Sequence, residues 1–487
     1  MLKRALLPVY TAGHFTELIR VAGLLKESGA WTPTFWFWRG YYGDIVRHLE
    51  RCRADGIHAI AESGISPEDH LRTDSPAHSA TPTIRARVAR LARAASIDAP
   101  FPVTALRAFA RQRLEFSRCR RLVAEERPDL LILAEDTVGY ETAALIKAAH
   151  ERRVPSVVLP FTVCNALEPA EAYFRDPAYS VTRWDNRLVA RMFPRWVYTH
   201  RGTTMVRLPA AQLLAKEFLG LAPPRPWQMN SGAADRILVE SRFMEAYYRR
   251  EGLPAEQLVV TGAIAGDVLA EAKRDAVARR SSLRRELGLT ADRPIVLCAL
   301  PPDQFEIYRG QADVEDYATL VRVWLQTLAA VKDWDVIVCL HPRADYQAIR
   351  YVEDWGVKIS QRDTVTLIPL CTVFVAATSA TIRWAIACGI PVLNYDVYRV
   401  GWTDFDSATG VVRVDTREAF AAALRRLTGD AQYFADQQAR QQRDAPQWGR
   451  LDGGNGVGIL RCFDELVAAN ASGRSAASTA STGEPQA

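Results

Sequence analysis

Five short segments of this chain carry side chains that can bind an anion or move a proton, and each follows an apolar, strand-like run. After Arg4–Tyr10 comes Thr11-Ala12-Gly13-His14. Gly13 permits close backbone approach, and His14 opens a helix, where it either takes a proton from an incoming hydroxyl or caps the helix. After the run beginning at Leu130 stands Glu135-Asp136-Thr137-Val138-Gly139, paired acids placed for binding or base work, with Asp136 equally able to serve as an N-cap. Thr261-Gly262-Ala263, with Asp267 shortly after, forms a third turn. The fourth is His341-Pro342-Arg343, in which Pro342 bars helix continuation and the two flanking cations can grip an anion. The fifth is the most informative: Val373–Ala377 gives way to Thr378, Ser379, Ala380 and Thr381, then to a short helical pattern, a stop at Gly389 and a second strand after Pro391. A hydroxyl-rich turn at a helix N-terminus presents unpaired N–H groups and the positive dipole end, which favour a diphosphate; ordinary helix capping uses the same residues.

Several chemistries lack their signatures. There is no Walker motif, HExxH, GxSxG elbow or EF-hand loop, which disfavours P-loop nucleotide hydrolysis and serine or zinc hydrolysis. The eight cysteines are scattered without a CxxC pair and read as reduced core thiols, so no metal is expected.

Strands and helices must alternate to position these turns. Strand candidates are Arg4–Tyr10, Thr34–Trp38, Ile57–Ala61, Leu130–Glu135 and Ser156–Phe161, then Ile237–Glu240, Leu258–Thr261, Ile295–Leu300, Val336–Leu340, Val357–Ile359, Val373–Ala376 and Val392–Tyr395. Helical patterns fill most of the gaps, which implies parallel sheets covered on both faces. With 487 residues, two doubly wound domains are expected, with ligands at the strand C-termini. The Pro-rich stretch Leu221–Gly232 marks the boundary: a first domain over 1–225, with a helical Arg-rich insertion at about 66–126, and a second over 233–445. A helix over 446–470 packs back, and the small, polar tail 471–487 is expected to be disordered.

The net charge of +5 is unevenly spread. Arg85, Arg87, Arg90, Arg93, Arg107, Arg111, Arg113, Arg118, Arg120 and Arg121 face only Asp98 and Glu115 in the same stretch. Such a run is either a solvated helix face or a basic surface for anionic lipid or a phosphate-bearing acceptor. Nucleic acid is not expected, because no basic-aromatic interleaving or known module accompanies it. No apolar run reaches the roughly 18 residues of a membrane span, and the N-terminus lacks a secretory h-region, so a cytoplasmic protein, peripheral on the inner membrane face, is expected.

ADRILVESRFMEAYYRREGLPAEQLVVTGAIAGDVL (234–269) resembles the opening of the C-terminal domain in the GT-B superfamily, with Gly262 and Asp267 matching its Gly-x-x-x-x-Asp turn. Residues 127–160 are similar to the last βαβ unit of the N-terminal domain, and His341-Pro342-Arg343 and TSATIRWAIACGIPV (378–392) to the sugar- and diphosphate-binding loops. The resemblance implies an α/β GT-B fold: two Rossmann-like, doubly wound parallel-sheet domains facing a cleft.

Bacterial glycosyltransferases of surface-polysaccharide assembly, including a glycerophosphotransferase-like group, and the non-hydrolysing UDP-N-acetylglucosamine 2-epimerases are the two similar branches. The epimerase pattern has Gly-Thr-Arg-Pro-Glu after the first strand and a Glu where Pro160-Phe161 stands; this chain has Thr11-Ala12-Gly13-His14. Gly13-His14 resembles instead the loop of transferases that use a histidine there. In many members a Glu holds the ribose hydroxyls where this chain has Trp384, which either stacks on a ring or fills core.

The implied function is a metal-independent glycosyltransferase with a nucleotide-sugar as substrate and no cofactor. A catalytically silent nucleotide-sugar-binding protein is a further alternative. His14 or Asp136 would be the base, with Gly13 and Glu135 on the acceptor loop. Gly262, Asp267, His341, Arg343, Thr378, Ser379, Ala380 and Thr381 would bind the donor. The implied acceptor is a lipid-linked or phosphate-bearing glycan at the membrane surface. The aromatic cluster Trp31, Phe35, Trp36, Phe37, Trp38, Tyr41 and Tyr42 either lines an acceptor face or packs as core.

Overall fold

The computed structural model describes residues 2–62, 100–163, 165–290, 292–308, 310–340 and 346–480, the last eight by backbone alone. Arg85, Arg87, Arg90, Arg93, His341, Pro342 and Arg343 lie outside the described residues. Among the described residues no helix is long and apolar enough to cross a membrane.

The chain divides into two compact units, Met1–Ile237 with Cys462–Ala487, and Leu238–Arg461. The division falls shortly after the proline-rich segment Leu221–Gly232.

Fifteen strands are described. In the first half of the chain they are β1 (Lys3–Thr11), β2 (Trp31–Tyr42), β3 (His58–Ala61), β4 (Leu130–Leu133), β5 (Ser156–Val158), β6 (Val197–His200) and β7 (Thr203–Val206). The rest are β8 (Arg236–Val239), β9 (Leu258–Val260), β10 (Ile295–Ala299), β11 (Asp335–Cys339), β12 (Lys358–Ser360), β13 (Val373–Ala376), β14 (Val392–Tyr395) and β15 (Val411–Val414). One sheet runs β3-β2-β1-β4-β5-β8-β9, and a second runs β12-β11-β10-β13-β14-β15. Every pairing with a resolved register in these two sheets is parallel, consistent with strands that read as continuous apolar runs covered by helices. The Ile237–Glu240 strand, expected to open the second sheet, instead joins the first, with Val158 opposite Ile237.

Leu6, Leu7, Leu131, Ile132, Val157 and Val158 form the centre of the first sheet, all essentially without exposure. The centre of the second is Val296, Cys298, Val338, Val373 and Val375, packed on Trp324 and Phe420. Trp31, Phe35, Trp36, Phe37 and Tyr41 are buried as core, whereas Tyr42 is half exposed. All seven cysteines among the described residues are buried.

Residues 167–218, irregular by sequence, fold into short helices around the antiparallel hairpin β6–β7. Its tip is Arg201-Gly202, both at positive φ (46° and 76°), the backbone a two-residue hairpin turn demands. The final helix, Asn455–Ala480, extends well past Ala471, where disorder was expected. Its tail is alanine-rich and proline-free up to Ala480, so helix propensity carries it on. Within the first unit its Asp464 pairs with Lys3 (2.8 Å) and accepts from the Trp31 indole (3.1 Å).

Of the arginine run, Arg107, Arg111, Arg113, Arg120 and Arg121 are exposed along the helix Phe101–Glu126. Arg120 pairs with Glu151 (2.5 Å), and Arg118 and Arg39 with the buried Glu115.

One packing detail predicts a pH response. The His48 ring lies against Phe15 (centroids 4.3 Å apart), and its Nδ1 is 2.6 Å from the Tyr41 hydroxyl. Burial pushes its pKa down to about 4. The unfolded chain takes up this proton near pH 6.5, so between those values the unfolded state binds more protons. The contribution is intact above about pH 6.5 and is lost as pH falls towards about 4. Denaturant midpoints at pH 7 and 4.5 should therefore separate less in His48→Phe than in the parent; an equal separation would place the acid sensitivity elsewhere.

Candidate functional site

In the first unit, β1 ends on Tyr10 and Thr11, and the helix Ala12–Glu27 begins at once. Thr11 is its N-cap: extended at φ −140°, it accepts from the His14 N–H through Oγ1 (3.3 Å). That cap fixes the backbone of His14 and aims its ring back over the strand ends. Nε2 of His14 lies 3.0 Å from Oε1 of Glu135, and both side chains are buried, at 2% and 5% exposure. The pair is within ion-pair distance but short of hydrogen-bond geometry, so Nε2 has no hydrogen-bond partner among the described residues. Tyr10, Tyr140 and Phe161 present ring edges to His14, with centroids 5.8, 5.4 and 5.2 Å away. A side chain at Gly13 would meet the Phe161 ring at 3.2 Å, so glycine there lets that ring close over the histidine.

Glu135 and Asp136 diverge as successive residues of an extended chain do. Glu135 turns to His14, whereas Asp136 turns into the body of the unit. There its carboxylate accepts from Ser231 Oγ (2.6 Å), the Ala233 N–H (3.0 Å) and Thr142 Oγ1 (3.4 Å). Burial raises its pKa, against the opposing pull of these donors. The Asp136 carboxylate is thus a tether for the 230–233 turn, and the acid beside the histidine is Glu135. Above it, Tyr10 stacks on Tyr140 (4.9 Å) and buries a hydroxyl without a hydrogen-bond partner among the described residues. Burial, then nearby acids, hold the Tyr10 phenol firmly protonated.

In the second unit, β13 delivers the Thr378–Thr381 turn. Thr378 takes positive φ (43°), unusual for a β-branched residue, and its N–H donates to Asn394 Oδ1 on β14 (2.7 Å). Ser379 Oγ and Thr381 Oγ1 lie 2.9 Å apart, and the Thr381 N–H donates to Ser379 Oγ (3.3 Å), with Ala380 between them. The helix that follows, Ile382–Ala387, is six residues long and wholly buried. Trp384 on it is 9% exposed, which makes it a core residue. Its neighbour Arg383 lies 3.1 Å, Nε to Oε1, from Glu240, with both side chains buried. The helix thus carries a buried cation beside Trp384, and its acid partner sits just after β8.

Gly262 and Asp267 go to another task. Asp267 accepts from the N–H groups of Asn455 (3.0 Å) and Gly456 (2.7 Å), holding the first turn of the last helix. Gly262 has φ +81°, and a Cβ there would lie 2.0 Å from Asn455 Oδ1. Gly262→Ala should therefore cost about 2–3 kcal/mol, from the left-handed backbone and displacement of the buried Asn455 together. A denaturant midpoint equal to the parent's would show that this turn gives way freely.

Sequence reasoning passed over Glu240, Asn394 and Asp396. Asp396 follows β14 and accepts from Val400 (3.0 Å) and Gly401 (2.7 Å), building the next loop. The available signal was a pair of polar residues, Asn394 and Asp396, at the end of an apolar strand.

No family model matches the chain, and no curated protein matches it in sequence. Among solved structures it is similar to the UDP-GlcNAc 2-epimerase from Neisseria meningitidis bound to UDP-GlcNAc, with 11% identity over 96% of this chain and 100% of that one and a TM-score of 0.52. It also matches the calicheamicin glycosyltransferase (14% identity, 96% and 98% coverage, TM-score 0.49) and a glycosyltransferase from Rickettsia africae (12%, 96% and 99%, 0.46). Two sheets, of seven and six strands, and the likeness to the Neisseria structure give a two-domain α/β fold of the GT-B type.

Proposed function

We propose that this GT-B chain is a glycosyltransferase that takes a nucleotide-activated sugar and serves bacterial surface-polysaccharide synthesis. The observation that carries the reading is the His14–Glu135 pair at the C-terminal end of β1, 3.0 Å apart and buried. Strand C-termini are where such sheets bind ligands. A carboxylate beside one imidazole nitrogen orients the ring and stabilises the imidazolium that forms when the other nitrogen takes a proton.

In the proposed reaction the acceptor hydroxyl loses its proton to His14 while its oxygen bonds to the anomeric carbon. The bond to the nucleoside diphosphate breaks, and the diphosphate leaves with the electron pair. The Ser379–Thr381 turn, with Arg343 and His341, would receive that diphosphate, so fixed donors and cations rather than a metal would stabilise the leaving group. The exposed arginines of the Phe101–Glu126 helix support a peripheral approach to an anionic surface on the cytoplasmic side.

Thermal-shift measurements with UDP, GDP, CDP, CMP, TDP and their sugar conjugates test this. Stabilisation by one nucleotide class supports the reading and names the donor family. The absence of any shift would reduce the Thr378–Thr381 turn to a capped helix and remove the donor from the account.

A further inference from the structure

Arg207 follows β7 and is 93% buried, with 7% exposure. Its backbone N–H donates to the Trp196 carbonyl (3.0 Å), which fixes the residue at the foot of the hairpin. The guanidinium lies over two rings, Tyr173 at 5.2 Å and Trp227 at 5.8 Å. The Trp227 indole is itself held by donation to the Trp196 carbonyl (2.9 Å), and Tyr173 is stacked on Tyr179 (4.3 Å). The cation is thus gripped on its π faces, yet among the described residues it makes no hydrogen bond and no ion pair, and Nε is fully shielded and unpartnered. A neighbouring arginine shows what satisfaction looks like here: Arg201 at the hairpin tip contacts Glu171 at 2.7 Å.

A buried guanidinium with its N–H fork unused is costly, because ring faces satisfy none of its donors. The fork matches a phosphate or carboxylate in plane, and aromatic faces on either side pre-organise it for that. The location gives the anion a role. Tyr173, one of the two rings the guanidinium lies over, and Tyr140, the ring packed on His14, belong to the same unit. The unused fork and the candidate base thus lie in the same unit.

We infer that Arg207 is the anion-recognition residue of the acceptor site, receiving a phosphate or carboxylate group of the acceptor whose hydroxyl His14 deprotonates. The acceptor assignment rests on the transferase reading; the anion site itself does not. The chemistry is the same whether the oxyanion belongs to a soluble ester or to a lipid head group.

Titration of the full chain with inorganic phosphate and with acetate tests the site, read by calorimetry and by the arginine Nε–H resonances of labelled protein. The parent should bind at least one of the two, with one buried Nε–H resonance shifting. Arg207→Met, which keeps the length of the stem, should weaken that binding about tenfold or more, and Arg207→Lys by less. Nucleoside-diphosphate affinity should be the same in all three, which separates failure here from failure of the donor reading. Sedimentation with phosphatidylcholine vesicles, with and without phosphatidic acid, assigns the source: an Arg207-dependent gain with phosphatidic acid marks a lipid-borne anion, and its absence alongside phosphate or acetate binding marks a soluble one. No binding of either probe by the parent, or equal binding by a folded Arg207→Met, would overturn the inference. If Arg207→Met does not fold, the parent's resonance shifts and the lysine variant decide.

Discussion

Turnover by His14→Ala should fall about 10²- to 10⁴-fold, the range a positioned general base supplies, while nucleoside-diphosphate affinity stays close to the parent's. The proposed base is in the first unit, and the proposed diphosphate contacts belong to the second, so the two readouts should separate. Since His14 is 1% exposed, the variant leaves a small void, and its denaturant midpoint must be measured beside its rate. Glu135→Gln keeps the shape and removes the charge that faces Nε2 at 3.0 Å. It should lower kcat by less than His14→Ala does, because the ring keeps its place but loses the carboxylate beside Nε2. A lost donor affinity with unchanged chemistry would refute the base role, and an unchanged kcat in Glu135→Gln would reduce that contact to packing.

The largest stability effect is expected at Arg383 and Glu240. Their side chains are 3% and 9% exposed and 3.1 Å apart, so removing either takes the opposite charge away from a buried one. Arg383→Met or Glu240→Leu alone should each cost about 3–5 kcal/mol. The double replacement should cost clearly less than the two singles summed, since it buries apolar groups in place of a charge pair. Urea midpoints of the four proteins close the cycle. Strict additivity would mean that the two residues act independently and that the ion pair contributes no coupling.

The architecture was legible because central parallel strands are unbroken apolar runs with recognisable ends. Val373–Ala376 and Val392–Tyr395 were placed to the residue, and the remaining sheet strands that were identified lay within a few residues of their bounds. β15, Val411–Val414, escaped because its edge position leaves it half exposed and interrupts the apolar run with Arg413. The hairpin β6–β7 escaped for a similar reason: its Thr-rich strands are short and pair with each other rather than with a main sheet. That Ile237–Glu240 joins the first sheet could not be read from its composition, because a central apolar strand fits either sheet equally well.

Within the site, strand ends pointed to His14 and to the acid pair, but not to which acid faces the histidine. That choice depends on the phase of two adjacent residues after a strand, and a one-residue shift exchanges them. The sequence turn Gly262–Asp267 has the spacing of a ligand loop, yet it is filled by Asn455, nearly two hundred residues away in the chain. Arg207 offered no local signal at all, since its unsatisfied fork exists only once Tyr173 and Trp227 have closed on it.

The most direct test of the central claim is NMR of the purified protein in D₂O with the nucleotide-sugar that stabilises it, and a cell-envelope extract as the source of acceptors. The transferase account predicts release of the nucleoside diphosphate, dependent on the extract and on His14, with the sugar of the remaining donor unlabelled. Deuterium appearing at C2 of the sugar without the extract, with the nucleotide still attached, would contradict it and make the chain an epimerase.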